Sequence, residues 1–124
     1  MIRGVRGATT VAINTEEAII SAAEELLAKI IDVNQIQPDS VASVFISTTD
    51  DLNATFPAKA LRNFADWTYV PVMCMQEIPV SNSLKMCIRF MIHVNTDLAQ
   101  EEIVHVYLNE AIKLRPDLGN RMSL

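Results

Sequence analysis

The chain has 124 residues, half of them hydrophobic and 20% charged, which suits one domain, residues 1–124, with a packed core and leaves no room for a second. Ten Lys and Arg against fifteen Asp and Glu give a net charge of -5, which argues against nucleic acid or an anionic membrane surface as the main partner. Cys74 and Cys87 stand apart with no CxxC or Cys/His grouping around them, so neither a zinc site nor a disulfide framework is signalled, and reduced thiols in a cytoplasm fit best.

MIRGVRGATTVAI lacks the apolar stretch and cleavage site of a signal peptide, and no run approaches the length of a membrane span. Residues Ile2 to Ile13 read as a first strand, with Gly4 and Gly7 marking bulges or close backbone approach. Asn14 followed by Glu17 resembles a capping box, and Ile19, Ala23, Leu26, Leu27, Ile30 and Ile31 recur at helical spacing, predicting a helix from Glu16 to Val33. After the loop NQIQPDS, VASVFIS (Val41 to Ser47) reads as a short β-branched strand emptying into the polar loop TTDDLNATFPAK. A short helix is expected from Pro57 to about Ala65, a third strand from Tyr69 to about Met75, and a fourth from Lys85 to Val94. Asp97 with Gln100 suggests the cap of a final helix through Ile112, with Ile103, Tyr107 and Ala111 at steps of four.

The order β-α-β-α-β-β-α indicates an α/β or α+β domain with a mixed four-stranded sheet and helices on one face. In the fourth strand Ile88, Phe90, Ile92 and Val94 form an apolar face, which turns Cys87, Arg89, Met91 and His93 to the other side. That face would leave charge and apolar surface uncovered, so a symmetric homo-oligomer is expected.

An arginine planted mid-strand needs a partner, because desolvating an unpaired charge is costly. The plain reading is a salt bridge, with Glu77 a candidate, or an exposed sheet face; the sharper one is an anion site to which Arg6, Lys59, Arg62 and Arg115 could contribute if the fold gathers them. Guanidinium forks match carboxylates, so such a pocket would suit a dicarboxylate. Cys74 and Glu77 differ by an odd number, so one pocket could use both only if the strand bends or stops between them. His93 and His105 could serve as ligands or bases, but lone histidines on a strand or helix are more often ordinary packed or surface residues, and no Ser/His/Asp grouping or phosphate loop is readable.

MIRGVRGATT, DLNATFPAKALR, WTYVPVMCMQE, CIRFMIHVNTD and HVYLNEAIKLRPDL, in that order, resemble the small monofunctional chorismate mutases of the trimeric, barrel-like bacterial class. The likeness runs over residues 1 to 118 and leaves out only GNRMSL. It implies a pseudo-α/β-barrel homotrimer with active sites at the subunit interfaces, and conversion of chorismate to prephenate, in phenylalanine and tyrosine biosynthesis, by a concerted [3,3] shift without metal or organic cofactor. It also implies roles. Arg89 would face the ether oxygen, Arg6 a substrate carboxylate and the developing charge, Tyr107 a carboxylate, and Glu77 with Cys74 the ring hydroxyl. Phe56, Ala58, Lys59, Arg62, Met73, Leu114 and Arg115 would line the pocket or its entrance, and the tail 115–124 would order over it. Met73 stands where some relatives have threonine, and Asp50 where a proline is expected. The rival reading is a non-catalytic trimeric module that binds a small dicarboxylate.

Overall fold

The computed structural model describes residues 1–114; Arg115 and the rest of the tail lie outside them. Strand β1 (Ile2–Thr10) is followed by helix α1 (Glu16–Asn34), strand β2 (Val41–Thr48), a 3-10 segment at Pro57–Asn63, and strands β3 (Val72–Gln76) and β4 (Cys87–Asn95). A two-residue strand β5 (Val106–Tyr107) and a 3-10 segment at Asn109–Leu114 close the described chain. The sheet has five strands in the order β3-β2-β4-β1-β5. It is mixed: β4 runs antiparallel to β1 and β2, while β2–β3 and β1–β5 are parallel.

Helix α1 forms where its apolar spacing predicts, and Ile19, Ala23, Leu26, Leu27 and Ile30 are fully buried against the sheet. Its cap is Thr15 rather than Asn14: the Thr15 hydroxyl accepts from the Ala18 N–H at 3.2 Å. Asn14 is engaged elsewhere, accepting from the Asn53 and Ala54 amides and so tying the loop after β2 to the helix entrance. At the other end Gln35 takes a left-handed conformation, φ 52°, and Pro38 follows. The Pro57–Asn63 segment is 3-10 rather than α-helical; it buries Pro57, Ala60 and Leu61, the last two in the same core.

Gly7 sets the distance between β1 and α1. A Cβ there would lie 2.5 Å from Ile30 Cδ1 and 3.2 Å from Leu26 Cδ1. No bulge interrupts β1, whose register with β4 is continuous from Ile2↔Asn95 to Thr10↔Cys87.

The final helix from Asp97 to Ile112 does not form. Its span holds a 3-10 turn at Gln100–Glu102, then β5, then the second 3-10 segment. Two physical causes favour this outcome. The run Val104–Tyr107 is rich in β-forming side chains, and the Asn34 side chain grips Val104 at both backbone groups, 2.8 Å each, so neither is left for helical bonding. Ile103, Tyr107 and Ala111 are all buried, as their spacing suggested, but in different places. Ile103 joins the helix-side core, whereas Tyr107 and Ala111 pack with Ala8 and Cys87 on the opposite face.

Candidate active site

Strand pairing builds the site on the face away from α1. Register partners across the sheet place Met75, Ser47, Arg89, Ala8 and Tyr107 in one row, and Met73, Phe45, Met91 and Arg6 in the next. Side chains of paired residues share a face, so one row supplies a cation, a hydroxyl and a phenol, while the small Ala8 keeps the floor low between Arg89 and Tyr107. The result is a cleft of about 380 Å³ whose lining includes Arg6, Ser47, Glu77, Arg89, Tyr107 and Leu114.

Glu77 is positioned by β2. Its N–H donates to the Thr48 carbonyl at 2.8 Å, extending the β2–β3 ladder one residue past the strand, and its Oε1 accepts from the Ser47 hydroxyl at 2.8 Å. The other oxygen, Oε2, lies 3.2 Å from Arg89 Nε. That contact is an ion pair without hydrogen-bond alignment, so the buried Nε proton is not satisfied by it. The plain salt bridge is therefore present, and both of its residues line the cleft. With Arg89 about a third exposed and Glu77 a quarter, the pair is open to a ligand from one side.

Arg6 is held through its backbone, whose N–H donates to His105 Nδ1 at 2.9 Å. Its guanidinium has no hydrogen bond or ion pair among the described residues, which leaves it available to a ligand carboxylate. Tyr107 is almost wholly buried and packs with Ala8, Cys87, Ala111, Leu84 and Leu114. The segment carrying Leu114 is anchored to β1 by Leu108 N–H to the Ala8 carbonyl and Asn109 to Thr9 Oγ1.

The start of β4 is fixed by a polar latch that sequence reasoning did not single out. Asp51 accepts from the Met86 N–H at 3.0 and 3.2 Å and from the Thr49 hydroxyl, while Thr49 Oγ1 accepts from the Cys87 N–H at 2.9 Å. Ser47 was missed as well. Its signal in the sequence was its parity with Phe45 in VASVFIS, which says only that it shares a face with Phe45 and nothing about what lies opposite.

The remaining predicted residues fall elsewhere on the chain. Cys74 lies on the core side of β3 and lines a separate hollow with Phe56, Lys59 and Gln76. The strand stays regular up to Gln76, so parity holds and no bend brings Cys74 to Glu77 within one chain. Phe56, Ala58, Lys59 and Arg62 surround an adjoining hollow of about 510 Å³ with Trp67 and Val72. Lys59 is tethered to Glu16 at 2.9 Å. Met73 shares the face of Arg89 but sits on the edge strand, 60% exposed. Arg115 lies outside the described residues.

Burial pushes the Cys74 thiol up, offset in part by a backbone hydrogen bond to Ala58. It also pushes up Cys87, against the lowering influence of Arg89. Both cysteines are free. No helix among the described residues is long and apolar enough to cross a membrane.

The comparison with known families gives the class: the chain belongs to the type I chorismate mutases, whose family model matches residues 2–118. Among particular relatives it is 53% identical over 119 residues to the chorismate mutase AroH of Bacillus subtilis (strain 168), covering 96% of this chain and 94% of that one. It is 45% identical to the chorismate mutase AroH of Thermus thermophilus, covering 95% and 97%. A solved chorismate mutase from Clostridium thermocellum superposes with a TM-score of 0.85 at 46% identity, covering 88% of this chain and 96% of that chain.

Proposed function

We infer that the protein is a chorismate mutase, converting chorismate to prephenate by a [3,3] rearrangement on the branch to phenylalanine and tyrosine. Beside family membership, the observation that carries this reading is the cleft in which Arg89, Arg6, Glu77 and Tyr107 converge. The reaction is unimolecular, so the site has two tasks. It must hold the enolpyruvyl side chain over the ring, and it must stabilise negative charge growing on the ether oxygen as the C–O bond breaks.

Arg89 acts at the ether oxygen. Being fixed near the start of a central strand, it needs little reorganisation as charge develops, so it favours the transition state over the substrate. Arg6 and the Tyr107 hydroxyl hold a carboxylate, and Glu77 accepts a hydrogen bond from the ring hydroxyl. Leu114 closes one wall.

Charge balance supports a site shared between subunits of a homotrimer. Arg6 and Arg89 less Glu77 leave one net positive charge in the cleft, and the substrate carries two carboxylates. Lys59 and Arg62 supply further cations, with Phe56, Ala58 and Cys74 beside them, from a surface that the single chain does not turn into the cleft. Exposed Phe45, Met73 and Met75 on the open sheet face give a second subunit apolar area to cover. Arg115 and the tail after it complete the entrance in this reading. Two free thiols accord with a cytoplasmic location.

The test is the loss of chorismate absorbance with purified protein, product identification as prephenate, and the same assay on Arg89→Ala. Turnover by the parent that is abolished in the variant is the expected result. A folded protein that binds chorismate without turning it over would refute the reading in favour of a binding module.

A further inference from the structure

We propose that Ser47 is a positioning residue for the rearrangement: its hydroxyl holds one oxygen of Glu77 and thereby keeps Glu77 from clamping Arg89. The proposal rests on the chorismate mutase reading of the cleft. Three observations lead to it. Ser47 is the register partner of Arg89 on the neighbouring strand, so both project from the same face at the same level. Its Oγ donates to Glu77 Oε1 at 2.8 Å, the only hydrogen bond to that carboxylate among the described residues. The nearest approach of Arg89 is to the other oxygen, Oε2, at 3.2 Å and without hydrogen-bond alignment.

A carboxylate next to an arginine ordinarily settles into the two-point fork, which satisfies both oxygens and two N–H groups. Here one oxygen is already bound to Ser47. The ion pair is thus held in a one-point arrangement, and the guanidinium keeps donor capacity for an oxygen of the substrate. The Glu77 N–H bond to the Thr48 carbonyl fixes the backbone from which the carboxylate hangs, and the Ser47 hydroxyl holds the head group by one oxygen. Without the hydroxyl, Oε1 would turn to the nearest donor, Arg89, and draw the cation away from the reacting oxygen.

The test compares Ser47→Thr with Ser47→Val, which have nearly the same shape and differ in the hydroxyl; both suit a strand. Ser47→Thr should stay within about threefold of the parent kcat, whereas Ser47→Val should lose about tenfold or more with a smaller change in KM, the size expected for a hydrogen bond to a charged group. In a Glu77→Ala background the Thr/Val difference should disappear. A purely structural role would leave it intact. Crystal structures of unliganded Ser47→Val and parent provide a readout independent of activity: Glu77 and Arg89 should form a two-point pair in the variant only. Equal kcat for Thr and Val, persistence of the difference without Glu77, or an unchanged pair in the Val crystal would each overturn the proposal. If the parent itself fails to turn over chorismate, the functional reading falls and the crystal comparison decides the positioning alone.

Discussion

Replacing Gly7 by alanine probes how closely the sheet must approach its helix. The added Cβ would stand 2.5 Å from Ile30 Cδ1, 3.2 Å from Leu26 Cδ1 and 3.3 Å from Ile30 Cγ1, against an ordinary carbon contact of about 3.5–4.0 Å. At least 1 Å of movement is therefore needed from side chains that are themselves fully buried. Overpacking of this kind costs about 1–3 kcal/mol. Ile30→Val removes the offending Cδ1; alone it should cost about 0.5–1.5 kcal/mol, but in the Gly7→Ala background the methyl it deletes is the one in the way. Urea unfolding of the four proteins at one protomer concentration measures the cycle, with comparison restricted to unchanged m-values. We expect the double variant to be no less stable than Gly7→Ala alone. Additivity within about 0.5 kcal/mol would refute the reasoning, because it would mean that β1 and α1 separate freely instead of meeting at that contact. Arg6 follows from the same geometry. It is the neighbour of Gly7 on the opposite face, so a shift of β1 that relieves the clash should also lower turnover.

Arg89→Lys should remain crippled, down about 10²- to 10³-fold in kcat, since an ammonium keeps the charge but not the planar donor fork; near-normal kcat would remove Arg89 from the ether oxygen. Asp51→Ala should destabilise the protein by about 1–3 kcal/mol in urea unfolding, because the Met86 amide loses its acceptor and the Thr49 hydroxyl its partner, and an unchanged midpoint would discount the latch. With Cys74 and Cys87 both raised by burial, the unfolded thiols ionise first as pH climbs past about 8.5. Their contribution is complete below that pH and is lost as pH rises towards the folded values, so unfolding free energy should fall with alkaline pH less steeply in Cys74→Ala/Cys87→Ala than in the parent. Equal slopes would contradict it. Titration with a thiol reagent after denaturation without reductant should find two thiols, matching the free cysteines.

Local pattern in the sequence determined a good deal. The apolar spacing from Ile19 to Ile30 specified the helix and the face it buries, and alternation from Cys87 to Val94 specified which side of β4 carries Arg89. These are properties of a few consecutive residues whose periodicity survives whatever surrounds them. The family motifs, from MIRGVRGATT to HVYLNEAIKLRPDL, carried the identity of the fold and of the chemistry.

Tertiary structure decided the rest, because it depends on which distant segments meet. Steps of four at Ile103, Tyr107 and Ala111 looked helical, yet Asn34, some seventy residues earlier, takes the backbone of Val104 and turns the segment into a sheet edge. Asn14 and Thr15 are both good caps by composition, and only the loop at Asn53 and Ala54, by engaging Asn14, leaves the role to Thr15. The separation of Cys74 from Glu77 was readable as parity, but which of the two shares a cleft with Arg89 was not. Register across β3, β2, β4, β1 and β5 settles that, setting Ser47 opposite Arg89 and Ala8 between Arg89 and Tyr107. Pairing register is a long-range property: a slip by one residue would leave every local pattern in the chain unchanged and turn the whole site to the other face.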